Sequence, residues 1–110
     1  MAEVKKIWLV IRMQNGNVIQ GFFPDCLRTY QTLVDGPIEV YPIEYAGKEG
    51  LIVCNEEGKL RGDMKFNFST FREQFFGDVC FVGCENEEFK ACPWSLDQIK
   101  DFTKGVSHEV

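Results

Sequence analysis

The sequence predicts a single α+β domain, in which a mainly antiparallel sheet built from hairpins carries two helices packed on it. A length of 110 residues is typical of one domain, and a hydrophobic content of 45% is enough to bury a core. Short apolar runs alternate with turn signals, as expected for strands. Two segments with helical spacing interrupt these runs. We therefore take residues 1–110 as one domain, with 106–110 as a flexible tail.

The amino-terminal part predicts a strand hairpin. Residues 5–12 are apolar on both alternating faces, which is typical of a central strand. Asn15-Gly16 follows, and this pair tolerates the positive φ angles that tight hairpin turns require. Residues 18–23 then return as the second strand, before Pro24 ends it.

A first helix is predicted over residues 26–34, where the apolar positions follow helical spacing. Asp25 is the expected N-cap, because its side chain can accept a hydrogen bond from the first turn. Gly36 stands where a C′ glycine belongs, and Pro37 prevents the helix from continuing.

The middle of the chain predicts an edge strand and a second hairpin. Residues 38–41 alternate as a strand. Because proline cannot donate to a ladder, Pro42 indicates that this strand lies at a sheet edge or bulges there. Residues 51–54 predict a buried strand. A turn at Glu56-Glu57-Gly58 then leads into a return strand, with Gly58 expected in the left-handed conformation of a bulge.

Residues 66–76 are rich in Phe and predict a strand followed by a short helical turn. Met64, Phe66 and Phe68 alternate, and Thr70 precedes Glu73 with capping-box spacing, so we expect one helical turn over residues 70–76. These phenylalanines form either core or a partner-binding surface, and we favour core. Two further strands are expected over residues 78–84 and 89–92, joined by an acidic turn.

The second helix has the clearest signals. Ser95 and Gln98 have capping-box spacing, and Trp94 can pack against Ile99 as a hydrophobic staple. We expect Gly105 to end this helix.

Several stretches resemble the family called domain of unknown function 3846. They are Leu33 to Val40, the run Ile52-Val53-Cys54-Asn55-Glu56-Glu57-Gly58-Lys59-Leu60, Asn67 and Gly77-Asp78-Val79, and the resemblance spans residues 27–103. The Phe-rich stretch departs from the shorter, more polar segment of the family. The resemblance implies a small protein of a bacterium, a phage or a mobile element. It implies no catalytic residue.

Composition argues against two classes of partner. The net charge of −5 disfavours direct nucleic-acid binding, which depends on neutralising phosphates. The apolar run at residues 7–11 is too short for a membrane span or a signal-peptide core. We therefore expect a cytoplasmic protein without membrane contact, and its five cysteines to be reduced and mostly buried.

No combination of side chains predicts catalysis or a metal site. Cys80 and Cys84 lie four residues apart on a strand, too far for one tetrahedral ion. His108, the single histidine, stands in the tail, so histidine-dependent nucleophilic catalysis is not expected. Acid–base catalysis by Glu56 and Glu57 ranks last, because turn acids are normally solvated. We expect no enzyme, no metal and no cofactor.

The turn at residues 55–59 is the predicted binding site. Asn55 and Gly58 suit turn geometry, and the charges keep the turn soluble, so a purely structural role is one interpretation. The other is polar recognition by Asn55, Glu56 and Lys59. The leading functional hypothesis is a non-catalytic interaction protein that docks on another protein, as an accessory or anti-defence factor. The alternative is a domain that binds a nucleotide or a metabolite between the sheet and the helices.

Overall fold

The computed structural model describes residues 5–70 and 72–104 and shows two helices and eight strands within them. The strands are β1 Lys6–Arg12, β2 Val18–Pro24, β3 Ile38–Tyr45, β4 Lys48–Asn55, β5 Phe66–Ser69, β6 Gln74–Phe76, β7 Val79–Glu85 and β8 Glu88–Lys90. The helices are α1 Leu27–Val34 and α2 Leu96–Thr103. The predicted α+β class is confirmed.

The main sheet is antiparallel, with the strand order β2-β1-β7-β4-β3, and β8 pairs with β7. β1 lies between β2 and β7, as its apolar faces predicted. β3 lies at one edge, as Pro42 predicted, and β2 lies at the other. β5 and β6 form a separate two-stranded hairpin.

Each face of the sheet has its own core, because alternate side chains of the central strands point to opposite sides. Leu9, Val53 and Val82 pack beneath α1 on one face. On the other face Val10, Ile52 and Phe81 pack with Phe68, Phe75, Trp94, Ile99 and Phe102, which come from the β5–β6 hairpin, α2 and the segment before α2. The sheet is therefore covered on both sides.

The predicted hairpin after β4 is wrong. Residues 56–60 form consecutive turns with no return strand, and β4 pairs instead with β3 and β7. Gly58 does not have a positive φ. Its constraint is space, since a Cβ atom there would lie 3.2 Å from the Phe76 carbonyl oxygen.

The predicted helical turn over residues 70–76 is also wrong, because Gln74–Phe76 is a strand that pairs with β5. Thr70 Oγ1 does accept from the Glu73 N–H at 3.2 Å, as in a capping box. However, the Glu73 carboxylate turns to Lys59 instead of completing the box. Phe68 and Phe75 are buried, so they belong to the core, while Phe66 is exposed.

Of the four helix ends that the predictions address, two agree with the structure, one differs and one lies outside the described residues. The capping box of Ser95 and Gln98 is present, and Gly36, with a φ of 148°, follows the left-handed C-cap residue Asp35. Asp25 is not the N-cap of α1. Cys26 takes that position without a side-chain cap, and the Asp25 carboxylate accepts from the Tyr30 hydroxyl at 2.8 Å. Gly105 and the predicted tail lie outside the described residues.

Neither α1 nor α2, the two helices of the described residues, is long and apolar enough to cross a membrane.

Candidate functional site

Asn55, Glu56 and Lys59, the predicted binding residues, line one cavity of about 230 Å³. Tyr41 of β3 and Phe75 of β6 also line it. The turn after β4 therefore faces the β5–β6 hairpin, and the three residues lie around a shared space. Their side chains are nevertheless placed very differently.

Asn55 is buried and holds the fold together. Its Nδ2 donates to the carbonyl oxygens of Val34 and Asp35 at 3.1 and 2.9 Å, and its Oδ1 accepts from the Glu57 N–H at 2.7 Å. These bonds satisfy both amide hydrogens and one oxygen acceptor site. Asn55 thus fastens the carboxyl end of α1 to the end of β4, and little of its amide remains for a ligand.

Lys59 forms an ion pair with Glu73, which lies in the turn of the β5–β6 hairpin. The Lys59 contact is the largest cause that lowers the pKa of Glu73 below its ordinary value. The Tyr41 hydroxyl also helps to lower the pKa of the Glu73 carboxyl. Glu56 is exposed beside them. The polar group of Lys59 and Glu73 therefore connects the turn after β4 to the β5–β6 hairpin.

A larger cavity of about 670 Å³ adjoins this group, and we call it the β3 groove. It runs along the edge of β3, opposite the turn of the β5–β6 hairpin. Its lining consists of Tyr41, Pro42, Ile43, Glu44, Tyr45, Ala46, Gly47, Thr70, Arg72, Glu73, Phe75 and Phe102. The groove is therefore assembled from the β3–β4 hairpin, the β5–β6 hairpin and α2.

Aromatic side chains form the floor of the β3 groove. Tyr41 packs edge-on against Phe75 with ring centroids 5.3 Å apart, and Tyr45 packs against Phe102 at 4.8 Å. The Tyr45 hydroxyl donates to Asp101 at 2.7 Å. Since these rings are held by their neighbours, the floor is largely pre-formed, as in most binding sites.

The backbone of β3 also faces this groove. The Glu56 N–H donates to the Pro37 carbonyl, so in the antiparallel register the odd-numbered residues of β3 are the ones bonded to β4. The even-numbered residues then direct their backbone groups to the open edge. Glu44 offers a donor and an acceptor there, whereas Pro42 offers only its carbonyl.

Carboxylates outnumber cations around the groove and the adjoining cavities. Glu39, Glu44, Glu56 and Glu73 are the acidic residues that line this space, and Lys59 and Arg72 are the basic ones. Lys59 is already paired with Glu73. The space is therefore acidic overall, with Arg72 as an exposed cation on the rim.

Cys54 lines the smaller cavity but is not suited to nucleophilic chemistry. Burial raises the pKa of its thiol to about 12, so the thiol is protonated at neutral pH. Cys80 and Cys92 are buried as well, and Cys26 and Cys84 are exposed. Among the described residues, no three or more His, Cys, Asp or Glu side chains are grouped closely enough to hold a metal ion.

The groove residues were not predicted as a site. The signal that could have found part of it is the alternation of Tyr41, Ile43 and Tyr45, which puts three large side chains on one face of an edge strand. No local pattern connects them with Arg72 or Phe102, since these come from distant segments.

Comparison with known proteins gives one result. The sequence profile of the family described as Domain of unknown function (DUF3846) matches residues 6–107. No curated protein and no solved structure matches the chain.

Proposed function

The chain belongs to the Domain of unknown function (DUF3846) family, and from this premise we propose that it is a non-catalytic binding protein. Its β3 groove would receive a short segment of a partner protein that carries a large apolar side chain next to a basic one. The observation that carries this proposal is the aromatic floor of the groove, bordered by carboxylates and by the open edge of β3.

The aromatic floor of the β3 groove indicates that the ligand has an apolar side chain. Tyr41, Ile43 and Tyr45 pack against the core from its margin and are only partly buried. Their remaining exposed surface lies in a groove, where an apolar side chain would remove it from water. Anchoring side chains of this kind supply most of the energy of protein interfaces.

The acidic residues around the groove indicate that the ligand also has a basic side chain. Four acidic and two basic residues line the groove and its neighbouring cavities, and the whole chain carries −5. A partner segment with a lysine or arginine meets this surface with complementary charge, which favours association at low salt.

A metabolite or nucleotide is the second candidate, and the volume of the groove supports it. About 670 Å³ lies within the range of roughly 300–1,000 Å³ that small-molecule sites occupy. The groove lies along the edge of β3 and is only partly enclosed by α2, so a chain segment fits it better than a compact ligand.

A cytosolic location also stays a prediction. It is supported by three buried cysteines that are not in disulfides. The bacterial, phage or mobile-element setting comes from the family resemblance alone, and the neighbourhood of the gene would test it.

Selection from a random peptide library displayed on phage tests the proposed function. Enriched peptides should pair a large apolar residue with a basic one, and their affinity should fall as the salt concentration rises. The groove variant Ile43→Asp, which places a charge on the floor, should weaken binding about tenfold or more.

Val40→Asp is the matched control, because Val40 lies on the same strand but on the other face and is 39% exposed. It should bind like the wild type, and thermal melts should show that both variants fold. Peptides that bind Ile43→Asp as well as the wild type would overturn the assignment of the groove. Stabilisation by nucleotides or metabolites in a thermal-shift screen, without peptide enrichment, would favour the second candidate.

A further inference from the structure

β2 forms the edge of the sheet opposite to β3, and in the described chain it pairs only with β1. Its seven residues, Val18–Pro24, include no charged side chain, and its proline stands at the last position. Natural edge strands usually carry a charge, a bulge or a proline that prevents further pairing. The register of β2 with β1 is continuous, so β2 has no bulge either.

The open hydrogen-bonding groups of β2 can be identified from the register. The Asp25 N–H donates to the Lys5 carbonyl and the Met13 N–H to the Asn17 carbonyl, both at 2.8 Å. In an antiparallel ladder these bonds place the odd-numbered residues of β2 against β1. Val18, Gln20 and Phe22 therefore direct their backbone N–H and C=O groups outward.

Apolar side chains flank this open edge on both faces. Phe22 is 67% exposed, and its ring packs edge-on against that of Trp8 with ring centroids 5.0 Å apart. Ile19 is 43% exposed on the opposite face. A strand added to this edge would cover both side chains as well as the backbone.

We propose that the occupant of this edge is β2 of a second copy of the chain, paired antiparallel about a two-fold axis at Gln20. In this register Gln20 faces Gln20 of the second copy, and Val18 faces its Phe22. Each such pair exchanges two bonds, so the interface gains about six backbone hydrogen bonds. The two sheets become one continuous sheet.

This register suits both faces of the strand. Gly21 lies opposite Ile19 of the second copy, and because glycine has no side chain the isoleucine can cover it. Shifting the axis to Gly21 would place Val18 opposite Pro24, which cannot donate. The register about Gln20 is thus the one that uses every open group of residues 18–22.

Charge also favours a second copy. Each chain carries −5, which opposes self-association through most surfaces, but residues 18–23 are uncharged. A strongly charged partner would find no counter-charge on this strand. An identical strand of apolar and amide side chains matches it. The symmetric contact is also the kind that closes in a dimer and does not extend into a fibre.

Sedimentation and light scattering over a range of concentrations test the proposal. The mass should rise from the monomer value of 12.7 kDa to twice that value and stop there. Gln20→Pro removes the N–H at the axis without touching the bonds to β1 and should abolish the dimer. Phe22→Lys introduces an edge charge and should weaken association about tenfold or more.

Val40→Lys is the matched control for Phe22→Lys, since Val40 is an exposed apolar residue of the other edge strand. It should leave the dimer intact. Circular dichroism and thermal melts should show each variant folded, and Phe22→Lys remains informative if Gln20→Pro fails to fold.

A cross-link tests the register itself. Directly opposed residues of a hydrogen-bonded pair have Cα atoms about 5.5 Å apart, within the range that a disulfide spans. In a background where the exposed Cys26 and Cys84 are replaced by serine, Gln20→Cys should form a covalent dimer on oxidation, and Val18→Cys should not.

A monomer at every concentration would overturn the proposal. So would a dimer whose mass is unchanged in both Gln20→Pro and Phe22→Lys, because it would use another surface. Failure of peptides to bind the β3 groove has no bearing on this result, since the two surfaces lie at opposite edges.

Discussion

The two edge strands of the main sheet are nearly equal in length but opposite in character. β3 has Pro42 in the middle of its open edge and carries Glu39 and Glu44, whereas β2 is uncharged and has its proline at the end. Proline and charge are both features that block strand addition. The comparison indicates that only one edge of this sheet is protected against pairing.

The surroundings of the two edges differ in the same sense. The β3 edge faces the turn of the β5–β6 hairpin, and the space between them is the β3 groove. At the β2 edge, in contrast, Phe22 stands largely in solvent. We infer that the β3 side binds side chains of a partner, whereas the β2 side pairs through its backbone with another strand.

Replacement of each tryptophan in turn should give the largest difference in stability between the two edges. Trp94 is 1% exposed, and its Nε1 donates to the carbonyl of Tyr45, the last residue of β3, at 2.8 Å. Trp94→Ala should lower the free energy of unfolding by about 3–5 kcal/mol, because it leaves a cavity beside Gly50 and Phe81 and removes the hydrogen bond to the end of β3. Chemical denaturation measures this change.

Trp8→Ala is the counterpart at the β2 side, where the indole is only partly buried against Phe22. This substitution should lower the free energy of unfolding by about 1 kcal/mol. An equal loss of unfolding free energy in the two variants would show that the two tryptophans stabilise the fold equally. That result would contradict the difference in their burial.

Asn55→Ala should have the next largest effect. Asn55 pairs with Ile38, the first residue of β3, and its amide holds the carboxyl end of α1. Alanine leaves two carbonyl groups and the Glu57 N–H without these partners, so the free energy of unfolding should fall by about 2 kcal/mol.

Asn55→Asp separates this structural role from ligand binding. It keeps the acceptor for Glu57 but replaces both donors by a carboxylate facing carbonyl oxygens, so it should destabilise at least as much as alanine at neutral pH. An Asn55→Ala protein of unchanged stability would show that the amide is free to bind a ligand.

Sequence patterns predicted elements whose signals are local. β1 and β7 were recognised from continuous apolar runs, and α2 from Ser95 and Gln98, because capping and burial act over a few residues. The wrong prediction after Asn55 had another cause. An apolar strand followed by a glycine turn fits a hairpin, but whether β4 pairs forward or with β3 and β7 depends on distant segments.

The candidate site was predictable to a smaller extent. Asn55, Glu56 and Lys59 do line one cavity, but the burial of Asn55 under α1 cannot be read from its neighbours in sequence. Thr70 and Glu73 have the spacing of a helix start, and yet Lys59 draws the Glu73 carboxylate away. Long-range contacts therefore decided both outcomes.

Removal of the proline from the β3 edge should change stability less but should alter association. Pro42→Thr restores a backbone N–H at the open edge of β3 with a residue that favours strands. Stability should change by no more than about 1 kcal/mol, but particles larger than a dimer should appear in light scattering. Threonine at position 18 of β2, Val18→Thr, is the control and should leave the mass unchanged. An unaltered mass for Pro42→Thr would show that Pro42 is not what protects β3.

The smallest expected effect is the pH dependence of the ion pair beside the groove. Lys59 lowers the pKa of Glu73 below its ordinary value of 4.5, so the contribution to stability is complete above that pH and is lost as the pH falls through the lowered pKa. Since the Lys59 side chain is 51% exposed, this contribution should be about 0.5 kcal/mol or less. The free energies of unfolding of the wild type and of Glu73→Gln should differ at pH 7, and the difference should shrink as the pH falls. In a Lys59→Met background the same comparison should change less with pH, and an undiminished change there would assign the effect to the Tyr41 hydroxyl instead of Lys59.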